Sequence, residues 1–117
     1  MTHDELDRLE KLMAIIAIGV SVSLKRGAVS ISEAEQLLYS PRTFEVLKSA
    51  RADKTVLSII FSGTELENIA RLLPDNLEKE LTSLSDSAIA FLLSKNEINL
   101  CLPKWYEVFF GNRKVNG

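Results

Sequence analysis

Between Leu12 and Val20 nine consecutive residues carry no polar side chain, while along most of the remaining chain apolar positions return every three or four residues among polar ones. Leu6, Leu9, Met13, Ile16 and Val20 form a helical stripe, and Leu12, Ile15 and Ile18 widen it until no polar side remains. A helix of this kind, from about Asp4 to Gly27, is expected to be surrounded from Leu12 to Val22 by the rest of the protein. Thr2-His3-Asp4-Glu5 has the form of a capping box at its start, and Lys25-Arg26-Gly27 supplies a basic last turn and a left-handed stop.

The same signals divide the remaining chain. Ser30-Ile31-Ser32-Glu33 is a second capping box, opening a short helix that buries Leu37 and Leu38. Ser40-Pro41 places an N-cap serine before an N1 proline, ahead of Phe44, Leu47 and Ala50. Asp53 caps a run containing Val56, Leu57, Ile59, Ile60 and Phe61, which reads as helix in preference to strand because no partner strand is evident. Ser62-Gly63 reads as a break, Thr64-Glu65-Leu66-Glu67 as a third capping box, and Pro74 as the stop of the helix that follows. Asp75 leads Leu77, Leu81 and Leu84, and Ser85 or Asp86 is expected to begin a separate helix holding Ile89, Phe91, Leu92 and Leu93. Ile98, Leu100 and Leu102 suit a brief extended segment, Pro103 starts a last turn through Phe110, and the tail from about 111 is expected to fray. The sum is an all-α fold: a compact bundle of about six to seven short helices around a buried N-terminal helix, forming a single domain over residues 1–117.

The apolar run is well short of the roughly 20 residues needed to span a bilayer, and its acidic approach does not resemble an export signal. A lone cysteine, Cys101, fits a reducing compartment, so a cytoplasmic location is expected. Its apolar flanks, Leu100 and Leu102, favour an inert thiol over a nucleophile. The single histidine, His3, belongs to the first capping box. No metal-ligand spacing or glycine-rich phosphate loop is present, so no catalytic residue, metal or cofactor is expected.

Charge narrows the choice of partner. With a net charge of -2, nucleic-acid binding would have to be local. Lys25, Arg26, Arg42, Lys48, Arg51 and Lys54 are opposed by Glu33, Glu35, Glu45 and Asp53, a surplus of only two. From Phe61 to Asp86, by contrast, Glu65, Glu67, Asp75, Glu78, Glu80 and Asp86 face Arg71 and Lys79, leaving four net negative charges. Part of this surplus serves helix N-termini, and the rest is available to steer a basic partner.

The residues Ser40-Pro41-Arg42-Thr43-Phe44-Glu45-Val46-Leu47, with Gly63-Thr64-Glu65-Leu66-Glu67 and Leu72-Leu73-Pro74-Asp75 ahead of Leu77-Glu78, resemble a family of small bacterial helical proteins. The chain looks like the immunity proteins that accompany contact-dependent growth inhibition toxins. The resemblance implies a cytosolic, non-enzymatic inhibitor that binds its cognate toxin domain, often a nuclease, and occludes the active site. Because such families diverge at their binding surfaces, no residue role is carried over. Asp75 and Glu78 are the first partner-binding candidates on charge, followed by Glu65, Glu80 and Asp86. Trp105 and Tyr106 are either aromatic anchors or lids on the core. Two other classes remain open: a helical adaptor binding through an apolar groove, and a nucleic-acid binder using Arg42, Lys48 and Arg51.

Overall fold

The computed structural model describes residues 2–98 and Leu100, and these contain six α-helices, one 3-10 turn and no strand. Expectations for Leu102, Cys101, the turn from Pro103 through Trp105 and Tyr106, and the tail from 111 fall outside the described residues. Ile98 and Leu100 are irregular.

Local chemistry sets most helix ends. Helix α1, His3–Lys25, begins at a complete capping box in which Thr2 and Glu5 satisfy each other's backbone amides. The hydrogen bond from Thr2 is the main reason the Glu5 carboxyl titrates below its ordinary range. Its C-terminus closes as a Schellman motif: the Ala28 N–H donates to the Ser23 carbonyl at 2.8 Å and the Gly27 N–H to Leu24 at 3.2 Å. Gly27 takes φ +70°, which glycine adopts without a Cβ penalty. Helix α2, Ile31–Leu37, starts at the Ser30/Glu33 capping box. Helix α3, Pro41–Ser49, starts at Ser40, whose hydroxyl accepts from the Thr43 N–H. It also ends in a Schellman motif, with Ala52 donating to Leu47 and Arg51 to Lys48, both at 3.0 Å. Here the left-handed position is filled by Arg51, at φ 60°.

Helix α4, Lys54–Thr64, is capped by Asp53, and the β-branched run inside it is helical. The break expected at Ser62-Gly63 does not occur, because α4 continues through both residues. A Cβ on Gly63 would overlap the ring of Tyr39, so this glycine answers a tertiary contact and not a turn. The third capping box is also absent. Thr64 lies in the last turn of α4 and donates its hydroxyl to the Phe61 carbonyl, and Glu65 makes no side-chain cap to helix α5, Leu66–Leu72. Pro74 ends α5 as expected and opens the 3-10 turn Pro74–Asn76. Helix α6, Leu77–Leu93, then runs unbroken through Ser85 and Asp86, since burial of Leu84, Ser85 and Ala88 on one side outweighs the local capping tendency.

The strongest packing is α1 against α6, with α4 across both and α3 and α5 against α4. The Lys11 ammonium donates to the Asn96 carbonyl just beyond α6, so the two long helices run antiparallel. Beside this end, the buried Glu10 carboxylate accepts the N–H of Asp53 at the start of α4. The core comprises Leu38, Tyr39, Leu47, Val56, Ile60, Leu66, Leu81, Leu84 and Phe91, with Ala14, Ala17 and Val20 from α1. Phe44 of α3 meets Phe61 of α4 in a tilted pair, centroids 5.9 Å apart.

One expectation about α1 needs correction. The helix is the central packing element, but Leu12 to Val22 is not surrounded: Ile15 is 44% exposed, Val22 is 50% exposed, and Gly19 faces open space. Its buried seam consists largely of small residues, Ala14, Ala17 and Ser21, which allow other helices to approach closely. The larger aliphatics flank that seam, so a run that is apolar on all sides still leaves one side unburied.

Candidate functional site

Five acidic candidates occupy three different places. Asp75, Glu78 and Asp86 line one shallow surface hollow of about 650 Å³ together with Lys79, Thr82 and Ser83. Their placement follows from the turn at Pro74, which starts α6 so that positions 78, 82 and 86 succeed one another along one helical face. The Thr82 hydroxyl is turned back onto the Glu78 carbonyl at 3.0 Å. Asp75, Glu78 and Asp86 are all exposed. With Lys79 among them, three negative charges and one positive charge leave a net two negative. Asp75 and Glu78 also lie against the N-terminal end of α6, where the peptide dipoles favour anions without any partner.

Glu80 points elsewhere, into a groove of about 320 Å³ between α4 and α6 lined by Lys54, Ser58, Ser62 and Ser87. Glu65 sits at the joint of α4 and α5 and takes part in a local chain: Asn68 donates to its carboxylate at 3.2 Å, and Arg71 donates to Asn68 at 3.1 Å. The structure therefore joins Asp75, Glu78 and Asp86 and leaves Glu65 and Glu80 outside that hollow. Trp105 and Tyr106 lie outside the described residues.

The carboxylates that do meet across helices are Glu35 of α2 and Glu67 of α5. Desolvation first, and then the neighbouring Glu67 carboxylate, hold the Glu35 carboxyl above its ordinary range. Burial likewise pushes the Tyr39 phenol up, with the Ser21 hydroxyl acting in the opposite direction. Among the described residues, no group of three or more His, Cys, Asp or Glu side chains is placed to hold a metal ion. No described helix is long and apolar enough to cross a membrane.

Of the basic candidates, Lys48 holds its ammonium 6.0 Å from the centre of the Phe44 ring, and Arg51 closes α3. Both have structural placements that account for them.

Two apolar surfaces escaped the charge-based reading. One is a groove of about 640 Å³ between α1 and α2, lined by Ile16, Gly19, Val20, Val29, Ala34 and Leu37. Leu37, expected in the core, is 65% exposed. The other is the outer side of the α1–α6 pair, where Ile15, Val22, Ile89 and Leu93 are exposed. A sequence signal existed for the second: Ile15, Ile18 and Val22 continue, at helical spacing, the face that begins with the charged residues Asp4, Arg8 and Lys11.

Comparison with curated proteins and with solved structures finds no match. One family model matches residues 4–107, a span that reaches from α1 through α6, and the chain therefore belongs to DUF3969, a protein family of unknown function.

Proposed function

We propose that this protein acts by binding and not by catalysis, as an immunity-type inhibitor that covers the active site of a cognate toxin domain in the bacterial cytoplasm. The observation that supports it is the exposed hollow on α6 holding Asp75, Glu78 and Asp86. A nuclease toxin needs basic residues to hold phosphate, and an array of carboxylates on a rigid helix can occupy that surface in place of the nucleic acid. Such charges act mainly on encounter, drawing a basic partner in faster than a neutral surface would. The affinity itself would come from a buried centre within an interface of roughly 1,200 to 2,000 Å².

The test is co-expression with a toxin domain encoded beside this protein, which should restore growth. A folded protein that gives no protection against that toxin sinks the proposal. Reversing charge at Asp75 and Glu78 together should slow association severalfold while leaving the helical content intact, and the difference should shrink as salt rises. Unchanged association would exclude this face as the interface.

A second reading, a helical adaptor, is favoured by the apolar groove between α1 and α2. Its occupant would be the apolar side of a partner helix, and binding there would persist at high salt.

A further inference from the structure

We propose that the outer face of α1, centred on Gly19, is where a second copy of this chain docks, the two α1 helices crossing antiparallel at that glycine. The pairing concerns self-association alone and stands whether or not the α6 hollow meets a toxin.

Glycine weakens the interior of a helix relative to alanine, so one that persists there answers some other demand. Of the three described glycines, Gly27 holds a positive φ and Gly63 makes room for Tyr39. Gly19 does neither: it lies well inside α1, without a positive φ, and a Cβ there would meet no atom within 4 Å. Bare backbone on a helix surface lets another helix come close, and no described part of this chain does so. Around Gly19 the surface is apolar. Ile15 and Val22, four residues before it and three after, share its helical face and are about half exposed. To one side α6 adds Ile89 and Leu93, 43% and 81% exposed, and to the other α2 adds Leu37, across the groove that Gly19 lines. From Leu12 to Leu24 and from Ser87 to Ser94 neither long helix carries a charge. With Lys11 bound to Asn96 and equal rise along both helices, Ile89 comes at the level of Ile18, so the two charge-free stretches lie side by side.

Three features select a second copy as the occupant. An apolar centre free of charge is the composition of subunit interfaces, and it gives a basic protein or a nucleic acid nothing to pair with. The face also matches itself. A two-fold axis crossing α1 between residues 18 and 19 sets Ile15 of one copy against the partner's Val22, and the bare backbone at 19 beside its own equivalent, so the contact is isologous and closed. Its size is sufficient: α1 and α6, of 23 and 17 residues, are about 34 and 25 Å long, and at a width of about 10 Å each they present roughly 600 Å² per copy. Two copies together reach the roughly 1,200 Å² at which stable interfaces begin.

Sedimentation velocity of the full, unmutated chain should show twice the monomer mass at micromolar concentrations and dissociation on dilution. Gly19→Arg then locates the contact, because the chain itself has room for the side chain and the helix crossing does not. This variant should stay helical by far-UV circular dichroism and become monomeric, with its dimer dissociation constant raised roughly a hundredfold or more. Phe61→Arg, at an exposed site of α4, should leave the dimer intact. In a Cys101→Ser chain, which has no other thiol, Gly19→Cys should form an intermolecular disulfide on mild oxidation and Phe61→Cys should not, a readout that holds even if Gly19→Arg fails to fold. A monomer at every concentration, a dimer that survives Gly19→Arg, or cross-linking no faster at position 19 than at position 61 would each overturn the proposal.

Discussion

Gly63→Ala sets two local rules against each other. Helix propensity alone favours the change, because α4 runs through this position and alanine is better than glycine in a helix by up to about 1 kcal/mol. Packing opposes it. The added methyl would come within 3.0 Å of three Tyr39 ring atoms, Cδ1, Cγ and Cε1, and real Cβ atoms do not approach other atoms so closely. Tyr39 is among the largest fully buried side chains, so its ring has no free space into which to retreat. Overpacking of this kind costs about 1–3 kcal/mol. Expelling the ring instead would forfeit the burial of a large aromatic, about 3–5 kcal/mol. Subtracting a propensity gain of about 1 kcal/mol leaves a net loss of up to about 2 kcal/mol, and about 2–4 kcal/mol if the ring is driven out. In urea unfolding followed by circular dichroism, with a slope of about 1–3 kcal/mol per molar, the midpoint should fall, by roughly 1 M where the loss is near 2 kcal/mol. A double-mutant cycle isolates the cause: in a Tyr39→Ala background, itself less stable, Gly63→Ala should become neutral or stabilising. A higher midpoint for the single variant, or an equal penalty in both backgrounds, would refute the steric argument.

Arg51→Gly should raise stability by about 1 kcal/mol, since a non-glycine residue in the left-handed position of the α3 Schellman motif carries a cost of that order; a lower thermal midpoint would show that the arginine side chain contributes more than its backbone costs. Glu10→Ala should destabilise by about 1.5–3 kcal/mol through loss of a charged acceptor to the Asp53 N–H, and Glu10→Gln by less, as measured by urea midpoints. Folding favours the protonated Glu35 carboxyl, so its contribution is fully present below the unfolded carboxylate pKa and is lost as pH rises through the raised folded value. Glu35→Gln should therefore raise the stability measured by urea unfolding at neutral pH, by less than about 1 kcal/mol because the pair is largely open to solvent, and should make little difference at acidic pH.

The helix starts at Thr2, Ser30, Ser40 and Asp53 were legible because each depends on groups within three residues of one another, and Gly27 marked the end of α1 for the same reason. The failures share a different cause. Gly63 is required by Tyr39, twenty-four positions earlier, and nothing beside it in sequence distinguishes that demand from a turn. Ser85 and Asp86 look like a helix start until the buried neighbours Leu84 and Ala88 are known. For the acidic face, counting charges over a stretch grouped Glu65 and Glu80 with the others, whereas angular position on α6 separates Glu80 from Glu78 and Asp86. The spacing of 78 and 86 carried that information, but where Glu65 sits depends on how α4 joins α5.

The seam of small residues on α1 reverses the usual guide to which positions can vary. Ala14, Ala17 and Ser21 are essentially inaccessible, so even one added methyl group would wedge α1 away from the helices packed on it. Ile15 and Val22, more hydrophobic by any scale, have room around them in the described structure. In this helix the alanines are the positions least able to drift in size, and the isoleucine and valine are the freer ones. Relatives that differ at residues 15 and 22 while holding 14, 17 and 21 small would keep the same scaffold beneath a changed outer surface.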